Sequence, residues 1–246
     1  MSTKAMTIEG KGVLVTGANR GLGQTLVEEA LRRGAKRVYA GTRQPLVHPD
    51  ERVTPLTLDV TDPAQVQRAA EEVGSLEILF NNAGVALPAE LSDRAALERH
   101  LAVNLFGTWG VTEAFLPLLT RNGGAVVNVV SVAALAAVPV LPAYSISKAA
   151  AFSFSQSLRA LLAGWGVSVH AVMAGPIDTD MVRDLDIPKT SPESVARGIL
   201  DGLEQGDEEI FPDPMSEMMA ESWRTGAAKA LERQNAALVA AAPVAA

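Results

Sequence analysis

The feature that most limits what this chain can fold into is the alternation of two hydrophobic periods along it. Apolar runs of strand length occur at "GVLVTG" (12–17), "RVYAGT" (37–42), "VTPLTLDV" (53–60), "LEILFNNAG" (76–84), "AVVNVVS" (125–131) and "VSVHAVMAG" (167–175). Between them lie segments with helix spacing, among them "LGQTLVEEALRRG" (22–34), "PAQVQRAAEEVG" (63–74), a long pattern from about Ser92 to Leu119, and "LPAYSISKAAAFSFSQSL" (141–158). Runs that are apolar on both faces belong in buried parallel strands, and strict β–α alternation supplies the crossovers such strands need. The pattern predicts an α/β fold: a single-domain, Rossmann-type, doubly wound parallel sheet with helices on both faces. No linker or repeat divides residues 1–246, and "EEIFPDPMSEMMAESWRTGAAKALERQ" (208–234) reads as a last strand followed by a helix. The Ala-rich residues 236–246 read as a frayed or interface-forming tail.

Composition excludes several classes. A net charge of −7 offers no attraction to nucleic acid or an anionic membrane, so any bound phosphate must be held locally. The absence of cysteine removes disulfides, thiol catalysis and Cys-based zinc sites. His48, His100 and His170 lack metal-ligand spacing. No charge occurs from Asn122 to Ser147, but Asn128, Ser131, Pro139 and Pro142 interrupt that stretch, which reads as a buried strand plus an apolar active-site loop rather than a membrane span. No signal peptide is recognisable, so a cytoplasmic enzyme is expected.

Two local patterns carry chemistry. "TGANRGLG" places Gly17, Gly21 and Gly23 between a strand and a helix, where backbone can approach a pyrophosphate and the helix N-terminus offers free N–H groups. In "YSISK", Tyr144, one of only two tyrosines, stands one helical turn before Lys148 in an otherwise charge-free region.

The T-G-x-x-x-G-x-G spacing, "NNAG" at 81–84, Asn104, Ser131 and Tyr144-x-x-x-Lys148 resemble, in order and separation, the short-chain dehydrogenase/reductase family. The resemblance spans most of the chain. It implies cofactor binding by Gly17, Asn19, Arg20, Gly21, Leu22 and Gly23, by Thr42 and Arg43, by Asp59 and the amide of Val60 at the adenine, and by Asn82, Ala83 and Gly84. It also implies contacts from Tyr144, Lys148, Gly175, Ile177 and Thr179, and no metal. Alanine stands at position 174 where the family usually has proline, so the following loop is expected to be less stiff.

A dinucleotide fold that prefers NAD(H) carries an acid about 20 residues after the glycines. Here the strand ends Gly41-Thr42-Arg43 with no acid, and Arg43 offers a charged planar fork, with Arg20 in the turn as a second basic position. NADP(H) is the expected cofactor.

Carbonyl reduction needs a hydride from the cofactor and a proton from the protein. A phenol has a pKa of about 10, which a neighbouring ammonium lowers by stabilising phenolate. Tyr144 is therefore read as the proton donor. By resemblance, Lys148 holds the nicotinamide ribose, Ser131 polarises the substrate oxygen, and Asn104 anchors a water that links Lys148 to solvent.

The short segment from Asp180 to about Thr190 is the family's substrate lid, and Val85, Leu87, Val138, Leu141, Met181 and Val182 suggest a pocket for a small apolar ketone or aldehyde. The leading reading is an NADPH-dependent carbonyl reductase, reversible as an alcohol dehydrogenase. The alternatives are a 3-oxoacyl thioester reductase and a non-catalytic NADP(H) sensor. Phe152, Phe154 and Leu158 suggest a homodimer or homotetramer.

Overall fold

The computed structural model describes residues 5–183 and 186–241. Its strands are β1 (Gly12–Thr16), β2 (Arg37–Thr42), β3 (Val53–Thr57), β4 (Ile78–Asn81), β5 (Ala125–Val129), β6 (Ser168–Val172) and β7 (Glu209–Ile210). They form one sheet in the order β3-β2-β1-β4-β5-β6-β7, and every pair is parallel. Strand order reverses at β1, whose neighbours are β2 and β4. The helices that leave those strands therefore diverge, and a crevice opens at the strands' carboxyl ends.

The helices are α1 (Gly21–Arg32), α2 (Pro63–Glu72), α3 (Arg94–Leu101), α4 (Thr108–Asn122), α5 (Pro142–Leu162), α6 (Pro192–Gln205), α7 (Pro214–Thr225) and α8 (Ala227–Ala241). On one face Leu26 and Ala30 of α1 join Val195, Ile199 and Leu203 of α6 over Val13, Val15 and Phe80. On the other, Val66 of α2, Phe115 and Leu119 of α4 and Leu162 of α5 cover Leu14, Leu79 and Val126. Alternate residues of one strand thus feed opposite cores, as the two-sided apolar runs require. Each Leu, Ile or Phe buried this way contributes roughly 1.5–3 kcal/mol.

Asp62, Asp93, Ser191 and Asp213 cap α2, α3, α6 and α7 through their side chains, whereas Arg20 at the start of α1 makes no such bond. The first turn of α1 keeps its amides free for an external acceptor.

Three expectations change. The helical pattern from Ser92 to Leu119 is two helices joined by a π-helical segment, Ala102–Gly107, with Asn104 inside it. The widened turn places Asn104 where its side chain reaches the Val85 backbone, a long-range demand that the apolar period does not encode. The C-terminal helix is also two, because Gly226 takes an extended backbone (φ −74°, ψ 158°) between α7 and α8. Finally, Phe152 is core, Leu158 packs partly buried against the core, and only Phe154 of that trio stacks at the α4–α5 surface, on Trp109 at 5.0 Å.

Of the Ala-rich tail, residues 236–241 continue α8, while residues 242–246 lie outside the described part. Lys229 of α8 is 1 % exposed and bonds Glu208, Glu209 and Glu232 at 2.8–2.9 Å, while Arg159 of α5 bonds Glu209 and Glu232. This ionic cluster fixes α8 onto α5. Among the described residues no helix is long and apolar enough to cross a membrane.

Candidate active site

The crevice beside β1 is a cleft of about 520 Å³. Its wall contains most of the expected cofactor positions: Gly17, Asn19 to Gly23, Thr42, Arg43, Asp59, Val60, Asn82 to Gly84, and Thr179. Gly175, Ile177, Tyr144 and Lys148, also expected there, do not line it. Gly175 bonds Asp213, and Ile177 packs against the core beneath α1 and α6. Of the lid, Asp180–Val182 form a short 3₁₀ turn, Thr190 bonds back to Pro176 and Asp178, and Asp184 and Leu185 lie outside the described residues.

The glycine turn is built for close approach. Gly17 and Gly21 have φ of +66° and +52°. A Cβ on Gly23 would lie 2.1 Å from the Gly17 oxygen and 2.6 Å from Asn82 Nδ2. Only hydrogen fits there, so backbone and uncapped helix amides face the cleft together. Thr16 locks the turn to β4: its hydroxyl accepts from the Asn82 and Ala83 amides at 3.0 Å, and Asn82 Nδ2 donates to the Thr16 oxygen at 2.9 Å.

Charge is distributed along the cleft mouth. Arg20 pairs with Asp180 at 3.3 Å, linking the turn to the lid segment. Among the described residues Arg43 has no carboxylate partner. The Thr42 hydroxyl bonds the Gln44 carbonyl, and Asp59 Oδ1 accepts from the amide and hydroxyl of Thr61. These residues fit a phosphorylated dinucleotide: uncapped amides for the pyrophosphate, a free guanidinium for a further phosphate, and a glycine cradle that a side chain would fill.

Beyond the inner end of the cleft, α5 presents Tyr144 and Lys148 on one face. Lys148 is 5 % exposed, its Nζ donates to the Val129 oxygen at 2.8 Å, and it lies 5.7 Å from the centre of the Tyr144 ring. Nζ is also 3.6 Å from where a Cβ of Gly84 would stand, at the cleft wall. Burial pushes the Lys148 pKa down to about 8. Burial also raises the Tyr144 pKa, and the Ser131 hydroxyl pulls it the other way. This departs from the sequence reading, in which Lys148 lowers it. In the protein alone, loss of water around the phenol dominates, and the ammonium is directed to a backbone carbonyl.

Ser131 caps the 3₁₀ turn after β5. Its Oγ accepts from the Ala133 amide at 3.1 Å and donates to the Ala174 oxygen at 3.2 Å. Asn104 spends its side chain on structure: Oδ1 accepts from the Val85 amide, and Nδ2 donates to the Val85 oxygen and Ser147 Oγ, each at 2.9 Å. Its carbonyl accepts from the Thr108 hydroxyl at 3.1 Å.

Sequence reasoning missed three residues: Thr16, Asp213 and His100. Fully buried His100 takes the Leu87 amide on Nε2 at 2.9 Å and holds the Ala96 oxygen with Nδ1 at 2.7 Å, which fixes the proton on Nδ1. Its ring stands edge-on to Tyr144, 6.5 Å away. Asn104 and His100, one turn apart, thus clamp the segment after β4. The spacing of those two residues on a helical pattern was the available signal.

Fold and site define a nucleotide-binding α/β protein with a Ser–Tyr–Lys group at its topological switch point. Residues 11–189 match the family model described as short chain dehydrogenase, and the chain belongs to that family of oxidoreductases. Mouse estradiol 17-beta-dehydrogenase 2 is 35 % identical over 199 residues, which are 74 % of this chain and 52 % of that protein. The chain thus spans about half the length of the first curated relatives it matches. The oxidoreductase UcpA of Escherichia coli strain K12 is 32 % identical over 230 residues, covering 83 % of this chain and 88 % of UcpA. A crystal structure of a short chain dehydrogenase from Burkholderia cenocepacia J2315 in complex with NADP is similar with a TM-score of 0.85 and 39 % identity, over 93 % of this chain and 98 % of that one.

Proposed function

We propose that this chain is an NADP(H)-dependent carbonyl reductase that converts a small apolar ketone or aldehyde to the alcohol, reversibly. The observation that carries the reading is the placement of Tyr144 and Lys148 on one face of α5, with the Ser131 hydroxyl beside the phenol, next to a cleft suited to a dinucleotide. When bound, the dinucleotide supplies the hydride. The Tyr144 phenol, kept protonated by burial, donates the proton to the substrate oxygen. Lys148 stabilises the phenolate left behind, more strongly because little solvent screens it. Ser131 turns its hydroxyl toward the substrate oxygen and polarises it. The Val129 carbonyl holds the Lys148 ammonium in place.

The phosphorylated dinucleotide is supported by Arg43 at the end of β2, by the absence of an acid there, and by the NADP held by the Burkholderia relative. An apolar substrate is supported by Leu87, Val138 and Met181, which are 38 %, 36 % and 48 % exposed near the site and offer no fixed charge. A panel of ketones and aldehydes supplied with NADPH or NADH tests the assignment through loss of reduced nicotinamide absorbance. No NADPH oxidation with any of them would overturn it. In the same assay Arg43→Ala is expected to raise KM for NADPH by roughly 10-fold, the worth of one charge-assisted hydrogen bond, and to leave NADH use unchanged.

A homodimer belongs to the same proposal. Trp109 stacks on Phe154 across α4 and α5, and Phe106, Trp109 and Leu161 are 61 %, 49 % and 58 % exposed, an apolar face of the kind that pairs copies. Sedimentation velocity is expected to show a dimer or a multiple of it, and a monomer at micromolar concentration counts against the proposal.

A further inference from the structure

The peptide bond between Ala174 and Gly175 is gripped on both edges. Its carbonyl accepts from Ser131 Oγ at 3.2 Å and from the Val132 amide at 3.1 Å. Its N–H donates to Asp213 Oδ2 at 2.8 Å. Asp213 is 4 % exposed, and among the described residues no cation pairs with it. It caps α7 at the same time: Oδ1 accepts from the Met215 and Ser216 amides at 3.1 and 3.0 Å, and Oδ2 accepts from the Ser216 hydroxyl at 2.9 Å. A Cβ on Gly175 would lie 2.7 Å from Asp213 Oδ1, so the carboxylate reaches the backbone only because residue 175 is glycine.

We propose that Asp213 is a positioning residue for the reaction, acting on Ser131 through the Ala174–Gly175 peptide. The peptide is planar, so anchoring its N–H fixes the direction of the carbonyl on the opposite edge. A bond to a carboxylate is about twice as strong as a neutral one and polarises the carbonyl it shares a peptide with. The Ala174 oxygen is thereby a firm acceptor that sets the Ser131 rotamer and holds Oγ beside the Tyr144 phenol. This also accounts for a loop without the stiff proline that the family resemblance implies: with alanine at 174, the constraint comes from a carboxylate far along the chain.

The proposal rests on the reading of Ser131 and Tyr144 as the reacting pair, and its test separates the two. The chain has only two tyrosines, so the titration of Tyr144 is resolved by NMR of the tyrosine-labelled protein, assigned with Tyr144→Phe. Asp213→Asn keeps shape and one acceptor but removes a negative charge. Acting only through space, that change eases phenolate formation and moves the Tyr144 titration to lower pH. Acting through Ser131, it loosens the rotamer that keeps Oγ beside the phenol, so the lowering by that hydroxyl is lost and the titration moves to higher pH. The expected result is an upward shift in the otherwise unaltered chain and no upward shift when Ser131→Ala is already present.

Ser216→Ala, which weakens the cap but leaves the Gly175 bond, is expected to lower Tm without moving Tyr144. Should Asp213→Asn not fold, Asp213→Ser, which retains a capping hydroxyl but loses the reach to Gly175, runs the same cycle. If Ser131→Ala alone leaves Tyr144 and turnover unmoved, the catalytic reading of Ser131 falls, and the proposal with it. If Ser131→Ala acts but Asp213→Asn produces a downward shift, no shift, or the same shift in both backgrounds, the role of Asp213 alone is overturned.

Discussion

Tyr144→Phe is expected to lower kcat for NADPH-dependent carbonyl reduction by roughly 10²- to 10⁴-fold, the range for losing a positioned general acid. The substitution removes one oxygen and keeps the ring. The edge contact with His100 at 6.5 Å and the Lys148 ammonium at 5.7 Å from the ring centre need no phenol oxygen, so fold and NADPH affinity should persist. The pH dependence follows from the same pair. The Lys148 pKa is depressed to about 8, so the ammonium is charged below that pH and neutral above it. A neutral amine cannot stabilise the phenolate left by proton donation. Reductive kcat/KM is thus expected to hold up to about pH 8 and to fall as pH rises beyond it. A Phe variant that retains turnover, or a reduction rate that climbs through that range, defeats this assignment of the acid.

Gly23→Ala is expected to abolish NADPH binding at ordinary cofactor concentrations, with affinity reduced on the order of 100-fold, or roughly 3 kcal/mol. The added methyl meets the Gly17 carbonyl at 2.1 Å and Asn82 Nδ2 at 2.6 Å, and neither can withdraw freely. The carbonyl is backbone of the turn itself, and the Asn82 amide is bonded to Thr16. Relief requires the start of α1 to move away from β1, which withdraws the uncapped amides from the cleft and costs about 1–3 kcal/mol of stability, as overpacking usually does. Gly74→Ala, where no atom lies within 4 Å of the new carbon, is the control and should change neither property. Titration of cofactor binding by nicotinamide fluorescence measures the difference, and equal affinities in the two variants would rule out the close-approach account of the turn.

Much of the fold was legible because strand and helix periods are local properties. Runs such as "VLV" and "AVVNVV" have no polar face to show solvent, and parallel burial is the arrangement that accommodates them. The boundaries that failed are those decided by distant partners. The π-helical segment around Asn104 answers to Val85, which β4 delivers, and the break at Gly226 precedes a helix fixed by the Lys229 and Arg159 ion pairs. Phe152 and Leu158 read as candidate interface residues because the helix is apolar nearly all round. Only the position of α7 and of the sheet decides which side is core.

The site divides along the same line. Glycines at fixed spacing and a tyrosine one turn before a lysine are written in the chain, since their geometry is that of one turn or one helix. So are the missing acid and the arginine after β2. What only the tertiary structure decided is how those pieces are held: Thr16 bridging two strand ends, His100 and Asn104 clamping the segment that carries Leu87, and Asp213 gripping the peptide that Ser131 leans on. Each is a hydrogen bond between residues far apart in sequence, and a single chain of letters carries no period or spacing that marks which buried donor will meet which acceptor.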